Sequence, residues 1–330
     1  MIAGTGAGLL RQTCNNLKNA ATNMVDSSEN RSFRESADST GKCAIRPRQN
    51  HTVINHGVSG DWKQVAGLWL INLLSGKKSS TVRRDIAYGN APRNLLDYYE
   101  CRASDRSSVP VVLFFYGGNW RWGRKADYQF VAAGLCQQGF DVVIPDYRLY
   151  PDVHFDGILE DARNACLWVL EQTARRPVIV IGHSAGAQLG ALLCLNPDIY
   201  PDGVLPLDRL RAFVGLAGPY DFYPYSEDFH YDLFGPEERY PESQPVNFVR
   251  QEAPPMYLLH GREDQRVRRG HSKSLMEKMQ SAGGRASREV YDDMGHADLV
   301  LSLAPFFKNR YPVIADVIRF IQTELSIDKA

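Results

Sequence analysis

The sequence has no excess charge of either sign, because 38 Lys and Arg residues balance 38 Asp and Glu residues. Without a net positive field, neither nucleic acid nor an anionic membrane surface is expected as a main partner. No apolar run reaches the length of about 18 residues that marks a transmembrane helix, so no integral membrane segment is expected. The N-terminal residues also lack the basic stretch that opens a secretory signal, which makes the cytoplasm the expected location.

Cysteine is sparse and scattered along the chain. The six cysteines lie at least 28 residues apart and form no C-x-x-C pair and no local cluster with histidine. A zinc site therefore has no support, and neither a metal nor another cofactor is expected. Cys136, Cys166 and Cys194 lie among apolar residues in predicted helices, where a reduced thiol acts as a small buried hydrophobe. Nothing in the sequence specifies an oligomeric state.

Three stretches of the chain differ in composition. Residues 1–55 are rich in Ser, Thr and Asn and poor in aromatics, which predicts a disordered N-terminal segment. Residues 56–80 place Trp62, Leu68 and other apolar residues at helical spacing, which predicts an amphipathic helix and linker packed on the next domain. Residues 81–330 alternate between predicted strands and predicted helices and form one α/β domain.

The predicted strands indicate how that domain is built. Residues 84–88 and 94–99 flank a turn, as in an antiparallel hairpin. Three later runs, at 109–115, 140–146 and 177–182, are almost wholly apolar, as in strands buried on both faces. Helical stretches separate these runs, and the resulting βαβαβ order predicts a mostly parallel sheet with right-handed crossovers.

The third apolar run leads directly into Gly182-His183-Ser184-Ala185-Gly186 and then into a predicted helix. This is the G-x-S-x-G pattern in the strand-turn-helix context of a nucleophile elbow. The two glycines are needed because side chains there would clash with the neighbouring strand and helix. Ser184 is therefore the candidate nucleophile, and a glycine-rich turn with an inert serine is the alternative.

A serine nucleophile needs a base, and the base needs an acid that orients it. In proteins with a nucleophile elbow of this kind, the three residues follow one another along the chain in the order Ser, Asp, His. Asp264 follows a predicted strand ending at His260, and His296 follows the last short predicted strand. Loops at the carboxyl ends of parallel strands are where such sheets bind ligands, so these two residues are the candidate acid and base. Glu263 is the alternative acid. His183 is expected to point away from the nucleophile, and His260 is expected to be a hydrogen-bonded structural residue.

The candidate oxyanion hole follows the first apolar strand of the parallel sheet. Gly117 and Gly118 come directly after that strand, and glycines let main-chain N–H groups approach a substrate closely. With the N–H of Ala185, they are the predicted donors to a developing oxyanion. An ordinary glycine turn is the alternative.

An aromatic-rich stretch lies between predicted strands in the second half of the domain. Residues 220–248 hold nine aromatics among prolines and acids without clear periodicity, which indicates an insertion that could form a lid. Four aromatic residues near the predicted oxyanion loop or after a strand's carboxyl end are candidates to line the substrate pocket, with core packing as an equal alternative for each. They are Trp120, Trp122, Tyr220 and Phe222.

Together these residues resemble the α/β-hydrolase superfamily, and within it the esterase branch with an H-G-G-x-W oxyanion motif, which includes carboxylesterases, acetyl and feruloyl esterases, and kynurenine formamidase. The resemblance covers most of the chain from the predicted hairpin onward. It implies a mostly parallel central sheet flanked by helices, and a serine hydrolase that acts on small carboxylic esters through an acyl-enzyme without a cofactor. The matching motifs are Gly117-Gly118-Asn119-Trp120, Pro145-Asp146-Tyr147-Arg148-Leu149, Gly182-His183-Ser184-Ala185-Gly186, Ala217-Gly218-Pro219-Tyr220-Asp221, His260-Gly261-x-x-Asp264 and Gly295-His296.

The chain departs from this family pattern at one position. Where the family usually has a histidine before the two glycines, this sequence has Tyr116, so the oxyanion loop could be preserved or altered. An arylformamidase that cleaves N-formylkynurenine is one alternative function. A catalytically silent binding protein is another, although all three triad residues are present here.

Overall fold

An eight-stranded sheet forms the centre of the computed structural model, which describes residues 71, 72, 75 and 80–327. Its strands are β1 (Ser80–Ala87), β2 (Leu95–Cys101), β3 (Val111–Phe115), β4 (Asp141–Pro145), β5 (Val178–His183), β6 (Leu210–Leu216), β7 (Met256–Gly261) and β8 (Ala286–Tyr291). They lie side by side in the order β1, β2, β4, β3, β5, β6, β7, β8. β2 runs antiparallel to both of its neighbours, and every other neighbouring pair is parallel. The predicted antiparallel hairpin followed by a parallel sheet is confirmed.

Two of the predicted segments fall where the structure gives no description. The predicted disordered segment at 1–55 lies outside the described residues, as does the predicted helix and linker at 56–80 apart from residues 71, 72, 75 and 80. The division of the chain at residues 55 and 80 therefore stays a prediction. Among the helices of the described residues, none combines the length and the apolar character needed to cross a bilayer.

Helices flank the sheet and bury its middle strands. All residues of β3, β4 and β5 are buried, as their continuous apolar sequences predicted. The edge strand β1 is instead exposed along most of its length and is interrupted by a bulge between Arg83 and Ile86. The α-helices between residues 80 and 327 are α1 (Gln129–Gln137), α2 (Phe155–Gln172), α3 (Ala185–Leu195), α4 (Asp228–Leu233), α5 (Gly270–Ser281), α6 (His296–Leu301) and α7 (Val313–Ile327).

The aromatic insertion after β6 folds into the short helix α4 and two 3-10 turns, at Glu237–Ser243 and Pro245–Phe248. Its aromatic rings pack mainly on one another. Tyr225 stacks on Phe234 with 5.1 Å between ring centroids, and Phe222 lies 5.5 Å from Phe234. This mutual packing gives the insertion a small apolar core of its own, which is compatible with a lid.

The turn from β5 into α3 brings the candidate nucleophile against the end of β3. Ser184 has φ 54° and ψ −124°, a region that few non-glycine residues occupy. A Cβ at Gly186 would lie 2.2 Å from the carbonyl oxygen of Phe115 and 2.4 Å from that of Tyr116. Only glycine permits this approach. Glycine is therefore required at position 186 because α3 packs on the end of β3.

Replacement of Gly186 by alanine should therefore destabilise the fold. The added methyl group would meet backbone atoms that cannot rotate away, so Gly186→Ala should lower the free energy of unfolding by about 1–3 kcal/mol in urea denaturation. Gly270→Ala is the matched control, because a Cβ at Gly270 meets no atom within 4 Å. Its effect should stay within about 0.5 kcal/mol. Equal stability of the two variants would contradict this account of the turn.

Candidate active site

Ser184, His296 and Asp264 follow the carboxyl ends of β5, β8 and β7, and they meet at one edge of the sheet. His296 Nε2 lies 2.9 Å from Ser184 Oγ, and His296 Nδ1 lies 2.8 Å from Asp264 Oδ2. The three side chains thus form one chain of hydrogen bonds. Glu263, the alternative acid, is exposed, and within the described part of the chain it makes no hydrogen bond to His296.

The Asp264 carboxylate is buried but well supplied with donors. Its Oδ1 accepts the backbone N–H groups of Arg266 and Val267, each at 2.9 Å, while His260 Nε2 lies 3.3 Å from Oδ2. Burial alone would raise the pKa of Asp264, but the hydrogen bonds from His260 and His296 outweigh it and hold the pKa well below its usual value. The carboxylate therefore stays ionised where it faces the imidazole.

An ionised Asp264 fixes how His296 is protonated. A carboxylate can only accept, so Nδ1 of His296 carries the proton and donates it to Asp264. Nε2 is then left to accept a hydrogen bond from the hydroxyl of Ser184. This arrangement allows an imidazole to take the proton of a serine hydroxyl as the oxygen attacks a carbonyl carbon.

His260 and His183 lie next to these three hydrogen-bonded side chains. His260 is fully buried, and its Nε2 donates to the carbonyl oxygen of Val267 at 2.9 Å. His183 is also buried, its ring centroid lies 4.9 Å from that of His296, and its Nε2 donates to the carbonyl oxygen of His296 at 3.1 Å. Burial, and then the repulsion from His296 when that imidazole is protonated, lower the pKa of His183 to about 3. His183 is thus held neutral beside the candidate base.

The predicted oxyanion donors lie close to Ser184. A Cβ at Gly117 would come within 2.8 Å of the Ser184 Cβ, so the glycine backbone packs directly against the serine side chain. Gly118 has φ 141°, which few residues other than glycine adopt. Among the described residues, the N–H groups of Gly117, Gly118 and Ala185 have no acceptor. These three groups remain the candidate oxyanion hole.

The four predicted pocket aromatics have different environments. Trp120 is 3% exposed and stacks on the half-buried Phe222 with 6.0 Å between centroids. Trp122 is 43% exposed on the surface. Tyr220 is fully buried against Phe213. The pocket role of these four residues stays a prediction.

A buried polar contact beside these aromatics was not predicted. Gln188 is fully buried in α3, accepts the indole N–H of Trp120 at 2.9 Å and donates to the carbonyl oxygen of Ser243 at 2.7 Å. It thereby joins the oxyanion loop to the insertion. The signal that could have identified it is a single polar residue in the otherwise apolar sequence of α3. Within the part of the chain that the structure describes, no three His, Cys, Asp or Glu side chains are grouped so that they could hold a metal ion.

The neutral state of His183 should make the protein less stable in acid. The unfolded chain binds a proton at His183 below about pH 6.5, whereas the folded protein does so only near pH 3. Protonation of His183 therefore leaves the free energy of unfolding unchanged above about pH 6.5 and lowers it progressively as the pH falls below that value. Between pH 6 and pH 5 this one group should lower the free energy of unfolding by roughly 1 kcal/mol.

His183→Gln isolates this contribution, because glutamine does not titrate. Urea denaturation at pH 6 and at pH 5 should give a smaller loss of stability in the variant than in the parent protein. Every other histidine is common to both proteins and cancels in the comparison. The same pH slope in both proteins would mean that His183 is charged in the folded state.

The sequence and the fold were compared with those of known proteins. A probable isoprenylcysteine alpha-carbonyl methylesterase of Oryza sativa subsp. japonica is 27% identical over 274 residues, which make up 74% of this chain and 64% of that protein. The chain thus spans slightly less than two thirds of that plant relative. Kynurenine formamidase of Danio rerio is 27% identical over 226 residues, which make up 66% of this chain and 76% of that protein.

The fold is shared with solved esterase structures. The crystal structure of esterase B from Lactobacillus rhamnosis, inhibited by a tributyrin phosphonate, superposes with a TM-score of 0.68. The match covers 82% of this chain and 94% of that one at 16% sequence identity, so it establishes the α/β-hydrolase fold. The sequence profile of the BD-FAE family matches residues 96–279, which is more than half of the chain. The chain therefore belongs to the BD-FAE family of α/β-hydrolase-fold proteins.

Proposed function

We propose that this protein is a serine hydrolase that cleaves carboxylic esters through an acyl-enzyme intermediate. The observation that carries this proposal is the continuous chain of hydrogen bonds from Ser184 through His296 to the buried Asp264, at 2.9 and 2.8 Å. Ser184 lies on a strained turn that exposes its hydroxyl to a loop rich in backbone N–H donors. A structural serine would need neither a base within hydrogen-bonding distance nor such a loop.

Acylation would proceed in two steps at this site. Ser184 Oγ forms a bond to the ester carbonyl carbon while His296 Nε2 takes the hydroxyl proton, and Asp264 stabilises the imidazolium that results. The N–H groups of Gly117, Gly118 and Ala185 would donate to the oxyanion of the tetrahedral intermediate. His296 then gives the proton to the leaving alkoxide oxygen as the carbon–oxygen bond breaks.

Deacylation repeats this sequence with water in place of the serine. His296 takes a proton from water as the water oxygen attacks the acyl carbon. The tetrahedral intermediate then collapses, Ser184 Oγ recovers the proton, and the carboxylic acid departs. Apart from the substrate and this water, each step uses only side chains and backbone groups named above.

The relatives suggest two substrate classes. The plant relative is a methylesterase, which favours an ester with a small alcohol group. The fish relative is a formamidase, and it is matched over a larger share of its own length, which keeps N-formylkynurenine as the second candidate substrate. Both reactions use the same nucleophile, and they differ in whether a carbon–oxygen or a carbon–nitrogen bond breaks.

Covalent labelling tests the nucleophile directly. A fluorophosphonate probe should label the folded protein at Ser184, as mapped by peptide mass spectrometry, because only an activated serine attacks the phosphorus atom. Ser184→Ala should abolish labelling, whereas Ser281→Ala, at an exposed position in α5, should label normally. A folded parent protein that stays unlabelled would favour the silent binding protein over the enzyme.

The proposed role of Asp264 can be tested by comparing it with Glu263, the adjacent carboxylate. Asp264→Asn should lower kcat by about 10⁴-fold, because an amide cannot hold His296 in the same tautomer or stabilise its positive charge. Glu263→Gln removes a carboxylate one residue away and should change kcat less than about twofold. Similar losses in the two variants would remove Asp264 from the proposed mechanism.

Three substrates separate the two substrate classes. Relative values of kcat/KM for p-nitrophenyl acetate, an S-prenylcysteine methyl ester and N-formylkynurenine should favour the esters. A preference for N-formylkynurenine by tenfold or more would select the formamidase. The Ser184→Ala variant serves as the blank for all three substrates.

A further inference from the structure

The loop that carries the candidate oxyanion donors has an unfavourable backbone conformation. Between residues 116 and 123 four residues have positive φ, namely Gly118 at 141°, Asn119 at 51°, Trp120 at 57° and Gly123 at 105°. Asn119 and Trp120 have side chains, so this conformation costs free energy and persists only if the surrounding structure imposes it. The contacts that impose it therefore matter for where the donors point.

Arg93 contacts both ends of this loop. It lies in the turn between β1 and β2, outside the candidate active site. Its Nη2 donates to the phenol oxygen of Tyr116 at 3.1 Å and to the carbonyl oxygen of Gly123 at 2.8 Å. Its Nε donates to the carbonyl oxygen of Tyr147 at 2.8 Å. One guanidinium thus holds the first and the last residue of the loop at a fixed separation.

Tyr116 is held from the other side as well. Its phenol donates to Asp146 Oδ1 at 2.7 Å, and its carbonyl oxygen accepts the Tyr147 hydroxyl at 2.8 Å. Its ring, which is fully buried, lies between those of Tyr147 and Tyr128, at centroid distances of 4.7 and 5.3 Å. Tyr116 therefore has two ring faces and two polar atoms engaged, so it cannot shift without breaking several contacts.

Asp146 extends the same set of contacts past the loop. Its Oδ1 also accepts the backbone N–H of Lys125 at 2.6 Å, two residues beyond Gly123. The carboxylate and the guanidinium thus both bridge the start and the end of the loop. A phenol suits this position because its oxygen can donate to Asp146 while it accepts from Arg93.

Given the serine hydrolase function proposed above, we infer that Arg93 is a positioning residue, which together with Tyr116 and Asp146 holds the strained loop so that its N–H groups face the oxyanion. Arg93 does not touch the reacting atoms. It acts through the loop by fixing the distance between residues 116 and 123. Tyr116 takes part in this clamp in place of the histidine that the family usually has.

Two variants remove the clamp in different ways. Arg93→Met keeps the aliphatic length of the side chain but removes all three hydrogen bonds, and Tyr116→Phe removes only the phenol oxygen while the ring stack remains. Arg106→Met is the matched control, because Arg106 also joins a backbone carbonyl, that of Cys101, to a buried carboxylate, Asp141, outside the loop. Circular dichroism and thermal unfolding establish that each variant is folded.

The first measurement reports on the loop itself and does not depend on catalysis. Amide hydrogen exchange in peptides covering residues 116–124 should be at least about tenfold faster in Arg93→Met and in Tyr116→Phe than in the parent protein, because release of the clamp lets the strained loop open. Arg106→Met should exchange at the parent rate in these peptides. Unchanged exchange in both loop variants would overturn the inference.

The second measurement, of kcat and KM, tests whether the clamp positions the backbone N–H donors of the oxyanion hole. With p-nitrophenyl acetate, Arg93→Met should lower kcat by about 10²-fold and leave KM within about threefold, because misplaced donors lose contacts made chiefly in the transition state. Faster exchange with unchanged kcat would show that the clamp does not position the donors, and would also overturn the inference. Absence of turnover in the parent protein would instead defeat the proposed esterase, while the exchange measurement would still decide whether Arg93 holds the loop.

Discussion

The structure depends on the close approach of α3 to the end of β3. Gly186 allows the carbonyl oxygens of Phe115 and Tyr116 to lie where a side chain would otherwise stand. Because β3 and β5 are neighbours in the sheet, this contact places Ser184 beside Gly117. The nucleophile and the candidate oxyanion donors are therefore positioned by one backbone contact, and the remaining side chains adjust a geometry that the backbone has already set.

Much of this geometry could be predicted because it depends on residues that lie close together in the sequence. The apolar runs predicted the buried strands β3, β4 and β5. The glycines around Ser184 predicted the turn, since close backbone approach leaves few other choices of residue. Asp264 and His296 could be placed because both follow strands of a parallel sheet, whose carboxyl ends must meet at one edge.

What the sequence did not reveal depends on contacts between distant segments. Arg93 reaches Tyr116 and Gly123 because β2 lies beside β4, so the turn before β2 lies near the oxyanion loop. Strand order had to be known before the contacts of Arg93 could be foreseen.

The insertion is linked to the same loop through buried polar atoms. Trp120 and Ser243 are both bonded to Gln188, and the Tyr225 hydroxyl lies 2.9 Å from Ser243 Oγ. Gln188 of α3 therefore joins the insertion and the oxyanion loop through two buried hydrogen bonds.

The exposed edge strand β1 is built in a way that opposes backbone pairing with another copy of this protein. An uncovered edge offers unpaired backbone groups to a further strand, and long flat edges can join into extended sheets. β1 presents Arg83, Arg84 and Asp85 at its middle, and the bulge between Arg83 and Ile86 interrupts its hydrogen-bonding register. Charge and irregularity together oppose growth of the sheet through this edge. Backbone pairing along β1 is therefore an unfavourable way for copies of this protein to associate.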